Sequence, residues 1–390
     1  MLDNILDNGE IVAKLSDRLY NKLALSVIKP SEDFMAKTRN NLVEMARFLF
    51  SLLVVGYHVQ MTWAGDRLSI FEGGALAVEF FFLISGYFLA RSIEKIGTNA
   101  ESKLLPETGK FMWGKVKGIL PVHIVAVIGI VIVILTTRLN VAGEMIVNGL
   151  PSVFLIHMAV VWNGSFNLAL IVPEWYLSAM LVTMLFMFPI GVLLRRKIKG
   201  VFTTLILIAF LIVALLICGF STKWALPQNF VYDLRAWGEM CVGMFAFYLS
   251  SALKKKDVKE SVKKALPVIE VTLYVVPIIF GIVPFPADYS YVTMIVTVIC
   301  VFGALTITFS GKGLQIQNQK VNAAFGFLGA ISLAIYLFHP VIISAIEYSE
   351  WHAPLWALYL IVFFTSVIAA IAYYFVEKAI KKSLQHSMQS

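Results

Sequence analysis

The chain is short of charge. Only 14% of its 390 residues are Asp, Glu, Lys or Arg, while 59% are hydrophobic. So little charged surface cannot cover the two or three water-soluble domains that the length alone would suggest. Cysteine is equally scarce. Cys218, Cys241 and Cys300 lack the spacing of a disulfide framework or metal site, and each falls in an apolar stretch as a packing residue. G-x-S-x-G, H-E-x-x-H, P-loop and dinucleotide fingerprints are missing, which argues against a soluble-type hydrolase site and against a metal site. The start, "MLDNILDNGEIVAK", has no cationic segment ahead of an apolar core, so no cleaved signal peptide is expected. Internal repeats, low-complexity linkers and a second soluble domain are not evident either.

What the chain has in abundance is apolar runs of about 15–20 residues, long enough at about 1.5 Å per residue to cross about 30 Å of hydrocarbon. Ten spans are predicted, at about 42–61, 74–92, 119–136, 171–194, 201–219, 233–252, 267–286, 288–309, 323–346 and 353–376. The expected fold is an all-α polytopic membrane protein with ten transmembrane helices and both termini cytoplasmic. A further run at 150–162 is too short to cross and reads as interfacial or re-entrant.

The basic residues support that parity. The formal net charge of +8 does not point to nucleic acid, because Lys and Arg concentrate on one side: 27 fall in the segments predicted cytoplasmic and three (Arg67, Arg138, Lys223) in the outer loops. That is a positive-inside asymmetry, and a crossing at 150–162 would destroy it. Residues 1–38 form a separate arm in which Leu15, Leu19 and Leu23 run beside Lys14, Arg18 and Lys22. The pattern suits an amphipathic helix on the cytoplasmic leaflet, and equally an ordinary packed helix. The expected division is this arm, a membrane domain at 39–378 and a cytoplasmic tail at 379–390.

Ionisable groups inside a bilayer are costly and usually mark function. His58, Glu79, Glu174, Arg235, Glu239 and His339 come from five spans and share the outer half of the membrane. Each has a plain structural alternative: an interfacial position for Glu174 and Arg235, a one-turn pair for Arg235 and Glu239, and repair of a proline break for His339 beside Pro340. Their common depth points to a polar chamber opening outward. At the inner end of span 1 lie Arg39, Glu44 and Arg47. Arg47 and His58 are eleven residues apart, close to three helical turns and about 16 Å of rise, so they share one face. Arg47 alone would pass for a snorkelling anchor. Two polar sites on one face suit the handling of one extended molecule across the membrane, and a proton relay or a transported solute would fit too.

Four stretches resemble the acyltransferase-3 superfamily of bacterial integral membrane acyltransferases. They are "RNNLVEMARFLFSLLVVGYH" with Arg39, Glu44, Arg47 and His58, "AVEFFFLISGYFLARS" with Glu79, Ser85 and Gly86, "ISLAIYLFHPVI" with Ser332, Tyr336 and His339, and "YYFVEKAIKK". They occur in the family's order and span nearly all of the chain after residue 38. One departure stands out: "EWYLSAM" keeps Trp175 and Leu177 but has Met180 where many members carry Glu, with Glu174 the candidate substitute.

The resemblance implies transfer of an acyl group, most often acetyl, from cytoplasmic acyl-CoA to a hydroxyl of an envelope glycan or lipid-linked sugar. It implies no metal. Arg39 and Arg47, with the basic 91–118 loop, would meet the CoA phosphates. His58 would act as general base or carry the acyl group. Glu79 and His339 would orient the acceptor or the imidazole, with Ser85, Trp175, Glu174 and Tyr336 on the acceptor side. A transporter or flippase of a lipid-linked or acylated sugar is the alternative, and a ligand-sensing membrane module a third.

Overall fold

The computed structural model describes residues 40–64, 70–99, 101–158, 169–220, 228–285 and 290–387, with side chains for all of these except 213–220, 228–231 and 290. The predicted amphipathic arm, Arg39 and the last three residues of the predicted tail lie outside the described residues. In chain order the helices are α1 (Asn41–Trp63), α2 (Ala77–Gly97), α3 (Leu104–Thr137), α4 (Ala142–Asn148), α5 (Leu150–Val153) and α6 (Trp175–Arg195). There follow α7 (Gly200–Phe220), α8 (Gln228–Lys255), α9 (Glu260–Ile282), α10 (Ser290–Ser310), α11 (Gln319–Tyr348) and α12 (Leu355–Ser387).

The protein is an all-helical, multi-pass membrane protein. Each of the ten predicted spans coincides with a long helix, and eight of these are long and apolar enough to cross a membrane. The other two are α7, whose described apolar stretch Gly200–Ile212 is shorter, and α8, which carries Asp233, Arg235 and Glu239. The run at 150–162 does not form a crossing helix in its described part. It contributes α5, four residues long, and then turns, with Pro151, Ser152, His157 and Met158 buried.

Local chemistry sets the helix starts. The Asn40 side chain accepts from the backbone N–H of Leu42 at 3.0 Å and of Val43 at 3.4 Å, and Glu44 adds a negative charge to the first turn of α1. Asn318 caps α11 in the same way, accepting from Lys320 and Val321. The apolar character of α3 runs right round: Val122, Ala126 and Ile130 face the protein while Ile124, Ile128 and Ile132 are exposed. Such a helix suits a boundary between protein and lipid. In their most apolar stretches α1, α2, α6 and α11 are more than half buried, against a third or less for α3, α9 and α12, so the first four form the centre of the bundle.

The most extensive helix pairings are α2 with α8 and α1 with α11. The first depends on two glycines. A Cβ on Gly86 would collide with the backbone of Met240, and one on Gly243 with the backbone of Leu83. With both side chains reduced to hydrogen, α2 and α8 approach closely and run in the same direction. Glu79 meets Arg235 near their starts, and Tyr87 meets Ser250 further along at 3.3 Å. At the other end of α2, Glu94 takes two hydrogen bonds from Arg195 at 2.7 Å, and the Tyr248 hydroxyl donates to it at 3.4 Å.

Buried Glu270 on α9 accepts from the Thr308 hydroxyl and, at 2.5 Å, from the N–H of Leu314, which pins the connection between α10 and α11. Cys241 and Cys300 are buried and unbridged. All described candidate residues belong to the compact unit Asn40–Ile371. A second unit takes in the end of α12 from Ala372, where helix continues to Ser387 through most of the predicted tail and Lys381 pairs with Glu377 at 2.9 Å.

A methyl group at the α2–α8 contact meets backbone, which cannot swing aside. Gly86→Ala and Gly243→Ala should each lower stability by about 1–3 kcal/mol, seen as an earlier denaturation midpoint of the purified protein. Unchanged midpoints would contradict the close approach.

Candidate functional site

His58 lies on the last turns of α1, where the imidazole is half-buried. Its Nδ1 is 2.8 Å from the carbonyl oxygen of Val54, one turn earlier. A carbonyl only accepts, so Nδ1 carries the proton and the neutral ring keeps its lone pair on Nε2. His339 follows the same logic on α11. Its Nδ1 is 3.2 Å from the Ile335 carbonyl, and its Nε2 lone pair faces His58 Nδ1 at 3.3 Å. The His58 N–H is thus shared between Val54 and a fully buried His339, and both ring orientation and tautomer are set by neighbours. Pro340 does not break α11, which runs continuously to Tyr348.

The second cluster belongs to α2 and α8. Glu79 is fully buried and paired with Arg235, whose Nε also donates to Glu239 at 2.8 Å. The pair expected between Arg235 and Glu239 is present, and Glu79 is the third member, brought in by the α2–α8 approach. Two carboxylates on one guanidinium leave unused acceptor capacity, in surroundings where unpaired charge is costly. Arg235 also sits 6.0 Å from the Trp175 ring, which packs 4.8 Å from Tyr232. Tyr57, the residue before His58, lies within electrostatic reach of Arg235 and Tyr232. The Glu79 carboxylate is directed to Arg235, while the His58 ring is held by Val54 and His339.

A hydroxyl network links α2 to α6. The Tyr176 hydroxyl donates to the Phe81 carbonyl at 3.1 Å and is 3.2 Å from the Ser85 hydroxyl. Ser85 in turn points at the Met180 sulfur at 3.3 Å, the position where the family resemblance leads one to look for Glu. Arg47 and Glu239 both lie within electrostatic reach of Tyr176. Arg47 is 3.6 Å from buried Glu44, with its own side chain 38% exposed, and Lys115 of α3 lies within its electrostatic reach.

Glu174 and Tyr336 meet at one short turn. Pro173 is the middle residue of the 3-10 turn Val172–Glu174, and its carbonyl accepts from the Tyr336 hydroxyl. Glu174 is fully buried within the protein, 2.7 Å from His123 Nδ1 on α3 and 2.8 Å from the Ser152 hydroxyl. His123 Nε2 reaches the Val153 carbonyl at 3.0 Å. The segment at 150–158 therefore folds onto α3 and ties down the turn that launches α6 with Trp175 and Tyr176.

The structure thus joins His58 with His339, Glu79 with Arg235 and Trp175, Ser85 with Tyr176, and Tyr336 with the turn bearing Glu174. Arg39 lies outside the described residues. His123, Tyr176 and the position of Lys115 beside Arg47 were not singled out from sequence. His123 carried a usable signal, an imidazole in the apolar run "ILPVHIVAV", whereas nothing separates Tyr176 from other tyrosines. Among the described residues no group of three or more His, Cys, Asp or Glu could hold a metal ion.

His157 lies outside the eight candidate spans. Burial first, and then the charge of His123, pull its imidazole from 6.5 down to about 4. The unfolded chain therefore binds more protons in this window. Stability owed to the neutral ring is intact above pH 6.5 and is lost as pH falls towards 4. His157→Asn should flatten the acid limb of a stability profile; an identical limb would refute the assignment. His123→Ala strands the Glu174 carboxyl and should cost about 3–5 kcal/mol, more than the double variant His123→Leu/Glu174→Leu. Equal denaturation midpoints for the two would argue against a coupled pair.

Comparison with curated proteins and with solved structures returns no match. A family model described as an acyltransferase domain matches residues 40–375, from the cap of α1 to Phe375 within α12, and so takes in every described member of these clusters. The chain therefore belongs to the acyltransferase-3 family of membrane acyltransferases.

Proposed function

We propose that the protein moves an acetyl group from cytoplasmic acetyl-CoA to a hydroxyl of a cell-envelope glycan or lipid-linked sugar in the outer half of a bacterial cell membrane. The observation that carries this reading is the His58 tautomer. A fixed Nδ1–H leaves Nε2 as a lone pair on a half-buried ring, which is what removal of a hydroxyl proton requires.

Arg47 and Lys115 suit the anionic end of the donor. Both are cations, Arg47 is partly exposed, and the Glu44 contact of 3.6 Å is loose enough to leave guanidinium donors for phosphate. From there α1 leads to His58 over about 16 Å of helix rise. His58 Nε2 takes the acceptor's proton as the acceptor oxygen forms its bond to the acyl carbon. The carbon–sulfur bond then breaks, and the imidazolium returns the proton to the leaving thiolate. If the acyl group passes through the ring instead, the same Nε2 is the nucleophile. His339 steadies the ring through His58 Nδ1–H. The Glu79–Arg235–Glu239 cluster and the Trp175 face suit an acceptor rich in hydroxyl donors, with Ser85 and Tyr336 positioning the walls. Glu174 acts at one remove, by holding the turn before Trp175. The ten-span topology with cytoplasmic termini belongs to the same proposal.

His58→Ala should reduce acyl transfer by at least about 10²–10⁴-fold while the protein remains folded in the membrane, measured as labelled acetyl transfer by purified protein. Arg47→Ala should weaken acetyl-CoA binding by about tenfold with little change in the acceptor's KM. Normal transfer by the first variant, or unchanged donor affinity in the second, would remove the assigned roles. Lack of any acetyl-CoA binding or turnover by the native protein would favour a transporter.

A further inference from the structure

Beyond His58, α1 runs on for one more turn and ends beside a cavity of about 590 Å³, within the range of about 300–1,000 Å³ typical of small-molecule sites. Thr62 and Trp63 supply one wall from the end of α1. Glu347 comes from the last turn of α11, and Glu350, Trp351 and His352 from the connection to α12. The cavity is next to the candidate site. The Thr62 hydroxyl donates to the His58 carbonyl at 2.8 Å, and four residues of helix place Thr62 about 6 Å beyond it. Glu350 has a positive φ of 56°, the left-handed state in which a helix commonly ends, and it turns the chain from the cap of α11 towards Trp351.

The lining has a definite chemistry. Two indoles offer flat apolar faces, two carboxylates accept hydrogen bonds, and no Lys or Arg lines the cavity among the described residues. A pyranose ring pairs one face of C–H bonds with a rim of hydroxyl donors, which these walls complement. A uronate or phosphate would meet two carboxylates with no Lys or Arg to offset them and a single imidazole, His352, beside them, an arrangement that rejects as well as selects. We propose that this cavity is a second carbohydrate subsite. It holds a neutral or amino sugar unit adjoining the one whose hydroxyl reaches His58, and it excludes units bearing carboxylate or phosphate. The identity of this occupant as part of the acceptor rests on the acyl-transfer reading above.

The test is saturation-transfer NMR on the full-length protein in lipid nanodiscs free of glycoside detergent, with maltotriose, chitosan trimer and trigalacturonate as probes. Transfer from aromatic protons is expected to the neutral and amino trimers and not to the uronate. Trp351→Ala should weaken it by about tenfold, Trp351→Phe should restore part of it, and Glu350→Gln should weaken the amino trimer more than the neutral one. Acetyl-CoA binding, measured on the same samples, should be unchanged and shows that the variants are folded. No transfer to either the neutral or the amino trimer, equal transfer to the uronate, or an undiminished signal in a Trp351→Ala sample that still binds acetyl-CoA would each overturn the subsite. Loss of donor binding in the native protein would instead overturn the acyl-transfer reading, and the sugar titration would stand by itself.

Discussion

A lipid interior offers no water to a charged side chain, so an ionisable group placed there has to be answered by another group of the protein. The organisation of the bundle centre follows from that constraint. Glu79 is answered by Arg235 on α8, Glu174 by His123 on α3 and Ser152 on α5, and the His58 N–H by Val54 and His339. These answers mostly come from a different helix, so the polar contacts also specify which helices are neighbours. The glycine contact between α2 and α8 shows the dependence in reverse. Without Gly86 and Gly243 the backbones could not approach closely enough for Glu79 to reach Arg235.

The same contacts divide the site into parts with different freedom. His58 and Arg47 are partly exposed and can meet something from outside the protein, whereas His339, Glu79 and Glu174 are sealed in. A half-buried imidazole backed by a fully buried one suits the proposed division of labour, in which one ring exchanges its proton and the other holds the first in place. Tyr176 lies within electrostatic reach of both Arg47 and Glu239 and belongs to neither cluster.

Much of this was legible from residue type alone. Arg47, His58, Glu79 and His339 are conspicuous because an apolar run advertises any polar exception, and the helical rise gives each a depth. The span count followed from run length and loop charge, and the long helices fall where those runs lie. Partners were harder to read. That Glu174 turns inward to His123 could not be foreseen, because the two are 51 residues apart and joined by a segment with no helical period long enough to orient it. Nothing in the sequence set Tyr176 apart from other tyrosines, and the packing of Gly86 on Met240 and of Gly243 on Leu83 depends on a crossing that no local pattern encodes. Single-helix properties are written in the sequence at short range, while contacts between helices are properties of the assembled bundle.

One consequence follows from the most ordinary feature, the unbroken run of α1 from Asn41 to Trp63. Arg47 and His58 are mounted on one rod without proline or hinge between them, so their separation is a built-in gauge. A donor gripped at its charged end presents its reactive bond at a height set by its own covalent length. Shorter or longer carriers would put that bond below or past the imidazole. Discrimination among carriers would then need no pocket shaped to their middle portions, only a handle, a rigid span and a stop.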